Sequence, residues 1–114
     1  MSNKVDKPWG WYRDLERNFF RVIKTIHISP NKKFSLQKHF RRDEFWYILS
    51  GSGKITLGSE VKEVVKGEHF YIPRETIHRL EGGPDGIDFL EVQEGECSED
   101  DILRIEDDYG RASD

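Results

Sequence analysis

The sequence predicts an all-β fold built as one domain. Its 114 residues leave room for one domain, and from Phe20 onward short β-branched and aromatic runs alternate with turn residues. Hydrophobic and charged residues each make up 35% of the chain, so a thin core is best enclosed by a sheet that closes on itself. We expect a jelly roll or small barrel over residues 1–114, with its core at about 20–93, an N-terminal arm at 1–19 and a C-terminal segment at 94–114.

The first half of the predicted core contains four strands. Residues 20–29 are rich in β-branched side chains and end at Pro30, which cannot continue a ladder. Residues 34–40 alternate between polar and apolar side chains, and residues 44–49 are apolar and aromatic. A Gly-Ser-Gly turn then separates residues 54–57 as the fourth strand.

The second half repeats the pattern of short strands and turns. Gly58 and Ser59 are a two-residue hairpin signal that leads into a strand at residues 60–65. Further strands are predicted at 69–72, 76–80 and 87–93, with a Gly- and Pro-rich loop at 82–86. The chain contains no long amphipathic helix pattern, and only residues 98–101 resemble a helix start.

The charges are distributed unevenly along the chain. Residues 1–42 carry a formal charge of +8 and residues 43–114 carry −12, which gives the net charge of −4. The basic residues are scattered rather than clustered in a stripe, so we expect no nucleic-acid partner. No apolar run approaches the ~20 residues of a membrane span and no signal peptide is recognisable. We therefore expect a cytoplasmic protein without a membrane partner.

Polar residues alternate along the predicted strand at 34–40. Ser35, Gln37, His39 and Arg41 would share one face of this strand. If that face points into the barrel, its polar groups must bind a metal, a ligand or one another. Alternatively, the opposite face with Phe40 could pack in the core and leave the polar face in solvent.

Two spaced motifs carry a more specific signal. They are Gln37-x-His39-x4-Glu44-x6-Gly51 and Gly67-x5-Pro73-x4-His78. Together they resemble the two signature motifs of the cupin superfamily, with Gln37 where the first histidine usually stands. Gln37 and His39 are two positions apart on a strand, so their side chains point the same way. Glu44 from a neighbouring strand and His78 from a strand distant in sequence can complete a set of ligands.

These motifs predict a divalent metal site. The chain has a single Cys, so imidazole, carboxylate and amide groups would have to hold the ion. The predicted ligands are Gln37, His39, Glu44 and His78. We expect one ion, zinc in preference to manganese, iron, cobalt or nickel, although the ligand types alone do not choose among these metals.

A closer resemblance covers residues 7–111. The segments at residues 7–12, 35–37, 44–46, 71–73, 78–81, 91–93 and 104–111 look like the isomerase domain of type II mannose-6-phosphate isomerases. In many bacteria that domain is the C-terminal part of a bifunctional protein with mannose-1-phosphate guanylyltransferase. The resemblance implies a cupin double-stranded β-helix, or jelly-roll barrel, and reversible conversion of mannose 6-phosphate to fructose 6-phosphate.

Such an isomerisation moves a proton between C1 and C2 through an enediolate, which requires a base and stabilisation of the oxygen charge. Glu91 is the candidate base, because two carboxylates in one barrel raise the pKa of one of them; a surface position on its strand is the alternative. Arg42 joins Glu91 as a candidate catalytic residue. The phosphate would be bound by Ser35, Arg41 and Lys24, whose cations and hydroxyl suit an anion.

The sequence leaves two other cupin classes open. One is a non-catalytic module that binds a sugar or small ligand, and the other is an iron-dependent dioxygenase with the same ligands. Arg41 also stands where members of the resembled family often carry a histidine, which would weaken the site if that histidine is a ligand. The expected partners are a phosphorylated hexose and a second copy of the chain, since Trp9, Trp11 and Phe19 offer aromatic surface to a homodimer.

Overall fold

Nine β-strands make up the regular structure of residues 3–107, which the computed structural model describes. In chain order they are β1 (Val5–Lys7), β2 (Gly10–Arg17), β3 (Arg21–Ile28), β4 (Leu36–Lys38), β5 (Arg42–Leu57), β6 (Glu60–Val65), β7 (His69–Ile72), β8 (His78–Gly95) and β9 (Leu103–Glu106). The described residues contain no helix, so none could cross a membrane. The all-β prediction is confirmed, whereas the helix start expected at 98–101 is a turn that leads into β9.

Strand β8 connects the two parts of the sheet. One path runs β1-β2-β3-β8-β4-β9, and β5 pairs with β6, β7 and β8. All of these pairings are antiparallel. Strands outside residues 20–93 belong to the same sheet, because β1 and β2 extend it beyond β3 and β9 pairs with β4.

Two of the predicted breaks, the turn at residues 51–53 and the loop at 82–86, lie within the long strands β5 and β8. β5 continues through Gly51 and Gly53, and its pairing with β8 shifts register at this point. Gly51 has a φ of +81°, and a Cβ at either glycine would collide with the backbone of β8. Glycine therefore bends the strand there without ending it. Because turns also use glycine, the sequence predicted a turn between two strands at a point where one strand continues.

The inward-facing row of β5 changes from polar to apolar along the strand. Arg42 and Glu44 are buried at its start, and Trp46 and Ile48 follow at the same alternation. Strand β8 pairs with it in the opposite direction, so that Glu91 lies opposite Trp46. One end of the barrel is consequently filled by an apolar core and the other end by buried polar groups.

Candidate metal centre

Three buried side chains converge at the polar end of the barrel. The candidate ligand atoms of His39, Glu44 and His78 all lie within 4.8 Å of one another. His39 Nε2 is 3.2 Å from Glu44 Oε2, and His78 Nε2 is 3.8 Å from Glu44 Oε1. The three side chains come from the loop after β4, from β5 and from β8. His39 was expected on the strand at 34–40, but β4 ends at Lys38 and His39 follows it.

Both imidazoles are oriented by backbone carbonyls. His39 Nδ1 lies 2.7 Å from the Asp101 carbonyl oxygen, and His78 Nδ1 lies 2.9 Å from that of Thr76. A carbonyl can only accept, so each Nδ1 carries a proton and donates it, and each Nε2 is the ring nitrogen directed toward Glu44. Carbonyl partners of this kind fix the ring and tautomer of metal-binding histidines.

The charge states of the cluster also suit a metal. Burial, together with the positive Arg42 and with His78, lowers the pKa of His39 to about 3, so its imidazole is neutral. Burial alone would raise the pKa of Glu44, but the charges of Arg42 and His78 outweigh it and lower that pKa below the usual value. A neutral imidazole and an ionised carboxylate are the forms that bind a divalent ion, so His39 and Glu44 fit one.

Arg42 contacts the same cluster. Its guanidinium Nη2 lies 2.8 Å from Glu44 Oε2 and 3.2 Å from His39 Nε2. These are two of the atoms that would hold a metal. Arg42 therefore provides the positive charge beside Glu44 in this structure, and a metal bound through both atoms would require the guanidinium to move.

Gln37, the fourth predicted ligand, lines the same cavity. Its Nε2 donates to Ser35 Oγ at 3.0 Å and to the Ser35 carbonyl at 3.2 Å. Gln37 is directly opposite His78 in the pairing of β4 with β8. The structure thus brings together all four predicted ligands, with Ser35 buried beside them.

Glu91 faces this cluster across an indole ring. Trp46 Nε1 lies 3.0 Å from Glu44 Oε1 and 3.0 Å from Glu91 Oε1, so one N–H group bridges two buried carboxylates. Gln93 Nε2 donates to the other Glu91 oxygen at 2.6 Å. Burial and the nearby negative charge of Glu44 raise the pKa of Glu91 to about 7.

The predicted cations divide into two groups. Lys24 lines the cavity, with Nζ 4.1 Å from the centre of the Tyr12 ring and 3.5 Å from Glu99 Oε1, and Arg42 lines it as well. Arg41 does not: its side chain is 54% exposed and pairs with Glu96 at 3.2 Å.

The placement of Arg41 on the inward face of the strand is therefore wrong. The Asp101 carboxylate accepts the backbone N–H groups of Phe40 and Arg41, each at 2.9 Å, and holds the chain in a bend. The alternation that begins at Ser35 breaks at this bend, so that Arg42 points inward in place of Arg41.

The candidate metal ligands and Glu91 line a cavity of about 120 Å³. Several other residues that line it were not predicted from the sequence to belong to the site. They include the indole of Trp46, the amide of Gln93 and the guanidinium of Arg104. Arg104 begins the segment at 104–111, one of the segments that carry the family resemblance, and this resemblance was the signal in the sequence that could have identified it. Residues 108–111 of the segment lie outside the described residues.

Comparison with known sequences assigns nearly the whole chain to one group. The model of the family described as mannose-6-phosphate isomerase C-terminal matches residues 1–107. Mannose-1-phosphate guanylyltransferase ManC of Salmonella typhimurium is 36% identical over 113 residues, which cover 97% of this chain and 24% of ManC. Xanthan biosynthesis protein XanB of Xanthomonas campestris is 39% identical over 110 residues, which cover 95% of this chain and 24% of XanB. The chain thus spans about a quarter of the length of these curated relatives.

Solved structures agree on the fold. Oxalate decarboxylase from Bacillus subtilis superposes with a TM-score of 0.80 at 19% identity, over 91% of this chain and 30% of that one. KdgF from Halomonas sp. superposes with a TM-score of 0.77 at 14% identity, over 83% of this chain and 89% of that one. At these identities the likeness concerns the fold alone, and it confirms the predicted cupin jelly roll.

Proposed function

This chain belongs to the mannose-6-phosphate isomerase C-terminal family, and on that premise we propose that it interconverts mannose 6-phosphate and fructose 6-phosphate. The observation that carries the proposal is the pair of buried carboxylates in one cavity. Glu44 belongs to the candidate metal cluster, and Glu91 lies across the Trp46 N–H from it. A metal-binding group next to a separate acid–base group is what an aldose–ketose isomerisation requires.

Glu91 is the proposed base of the reaction. Its carboxylate would take the proton from C2 of the open-chain aldose and return it to C1, while the hydroxyl proton passes from O2 to O1. A pKa of about 7 leaves both the acid and the base form of Glu91 populated at neutral pH, as a group that must act in both directions needs. The guanidinium of Arg42 would stabilise the negative charge of the enediolate oxygens.

His39, Glu44 and His78, with Gln37 beside them, would hold one divalent ion, zinc in preference to the alternatives. When bound, such an ion supplies positive charge that polarises the sugar oxygens. The chain itself contributes the orientation of its ligands, since two backbone carbonyls fix the rings of His39 and His78.

Metal analysis followed by a coupled assay for fructose 6-phosphate tests this function. We expect turnover of mannose 6-phosphate by the metal-loaded chain, and loss of both metal and turnover in His78→Ala and Glu44→Gln. His69→Ala is the matched control, because His69 lies on β7 and contacts Phe45 outside the cavity. Full metal occupancy without turnover of any hexose phosphate would contradict the isomerase proposal.

One observation favours a second candidate, a non-catalytic module that binds a sugar. Arg42 already donates to His39 Nε2 and Glu44 Oε2, so the cluster is neutralised without a metal. A chain that binds mannose 6-phosphate with unchanged affinity in the presence of a chelator, and does not convert it, would support this candidate.

A further inference from the structure

Arg104 is a cation of the cavity whose buried Nε is not satisfied by the described part of the chain. It lies on β9 and lines the cavity, and its buried Nε has no hydrogen-bond partner among residues 3–107. The other cations that line the cavity have partners: Arg42 pairs with Glu44, Lys24 with Glu99, and Lys24 and Lys7 both lie over the ring of Tyr12.

The sheet register places Arg104 relative to the metal cluster. Gln37 on β4 is opposite His78 on one side and opposite Arg104 on the other. Residues opposite one another on adjacent strands direct their side chains to the same face, and all three line the cavity. Arg104 is thus two strand spacings from His78, about 10 Å, which is the length scale of an open-chain hexose phosphate.

A buried guanidinium nitrogen without a partner costs stability and implies a ligand or another use. The planar fork of a guanidinium matches the geometry of a phosphate group. The carboxylates that line the cavity have partners other than Arg104. Glu44 pairs with Arg42, Glu99 pairs with Lys24 and Arg17, and Glu91 accepts from Trp46 and Gln93.

We propose that Arg104 binds the phosphate group of the substrate and makes the cavity specific for phosphorylated over free hexoses. This inference rests on the proposed function and assigns to Arg104 the role that the sequence had suggested for Arg41. With the phosphate at Arg104, the sugar chain would run along Gln37 toward His78, and its C1 and C2 would lie near the metal cluster and Glu91.

Calorimetric titration of the full chain with mannose 6-phosphate and with mannose tests the assignment. The informative variants are Arg104→Met, which removes the charge, and Arg104→Lys, which keeps it without the fork. We expect Arg104→Met to weaken mannose 6-phosphate binding about ten- to a hundredfold, to leave mannose binding unchanged, and to be partly rescued by Arg104→Lys. Arg41→Met, which changes an exposed arginine outside the cavity, should bind as the original chain does.

Thermal unfolding of the same variants separates a binding role from a structural one. Removing a buried nitrogen that has no partner should leave the melting temperature of Arg104→Met equal to or above that of the original chain. A clear decrease in melting temperature, or equal loss of affinity for mannose and its phosphate, would overturn the inference.

Kinetics distinguish failure of this inference from failure of the proposed function. Turnover of mannose 6-phosphate with an unchanged KM in Arg104→Met would overturn the role of Arg104 and leave the isomerase intact. Conversely, phosphate-selective binding that depends on Arg104 in a chain without turnover would support the phosphate site and contradict the isomerase.

Discussion

Arg42 donates from both Nε and Nη2 to a single oxygen of Glu44, at 2.9 and 2.8 Å. Both residues are buried, so each compensates a charge that would otherwise be expensive to hold inside the barrel. Because the same guanidinium also reaches His39 Nε2, it competes with any ion for the ligands.

Replacing Arg42 should therefore change metal affinity and stability in opposite directions. In Arg42→Met we expect zinc affinity to rise at least tenfold, because a like charge beside the ion and two competing hydrogen bonds are removed. The metal-free variant should be destabilised by about 3–5 kcal/mol, since Glu44 loses its buried partner. Competition with a chromophoric chelator and denaturant unfolding measure the two effects.

Arg79→Met provides the control for these measurements. Arg79 is also a buried arginine, but it donates to the Phe34 carbonyl and pairs with Glu106. The Arg79→Met variant should be less stable than the original chain but should bind zinc with the same affinity. A fall in zinc affinity in Arg42→Met would contradict the competition between guanidinium and metal.

Metal binding should be visible in the fluorescence of Trp46. Its ring centre lies 5.5 Å from that of His78, and its N–H is bonded to Glu44. We expect zinc addition to change the emission of the original chain and of His69→Ala, but not that of His78→Ala. A response that persists in His78→Ala would place the metal elsewhere.

Two buried groups, His39 and Glu91, should change the stability of the metal-free chain with pH in opposite directions. The pKa of His39 is lowered from 6.5 to about 3, so between these values the unfolded chain binds the extra proton and stability falls as the pH falls. The pKa of Glu91 is raised from 4.5 to about 7, so between these values the folded chain binds the extra proton and stability falls as the pH rises. From pH 4.5 to 6.5 the two contributions cancel.

Glu91→Gln should reveal the His39 contribution. In this variant the free energy of unfolding should rise with pH by about 1.4 kcal/mol per unit more than in the original chain over that window. Urea unfolding at several pH values with chelator present measures the slope, and Glu94→Gln changes an exposed carboxylate of the same strand as a control. Equal slopes in Glu91→Gln and the original chain would contradict the assigned protonation states.

Asp101 should be needed for the bend that separates Arg41 from Arg42. Its carboxylate accepts two backbone N–H groups of that bend, so Asp101→Ala should lose about 1–3 kcal/mol of stability. Zinc affinity should fall as well, because the Asp101 carbonyl that holds His39 shifts with its loop. Asp100→Ala, which changes the exposed neighbouring residue, should keep both properties.

The sequence allowed the barrel and the metal cluster to be predicted because both depend on local patterns. Alternation and turn residues marked the strands, and the spacing of His39, Glu44 and His78 placed their side chains together. The long strands β5 and β8 were missed where glycine forms a bulge, since a bulge and a turn use the same residue type.

The residues proposed to bind the substrate were harder to predict, because their positions depend on contacts between residues distant in sequence. Arg41 was placed inward because nothing local indicated that Asp101, sixty residues away, bends the chain there. Arg104 was not assigned because its strand has only four residues and gains its position in the cavity only by pairing with β4. The homodimer and the cytoplasmic location stay predictions, the first of which light scattering can test.

The central claim is a metal-dependent isomerisation in this cavity. Its most direct test is the formation of fructose 6-phosphate from mannose 6-phosphate by the zinc-loaded chain, by the same sample after chelation, and after zinc is restored. We expect conversion that chelation abolishes and zinc recovers, and at least a hundredfold loss of kcat/KM in Glu91→Gln. A fully zinc-loaded, folded chain that forms no fructose 6-phosphate would contradict the claim.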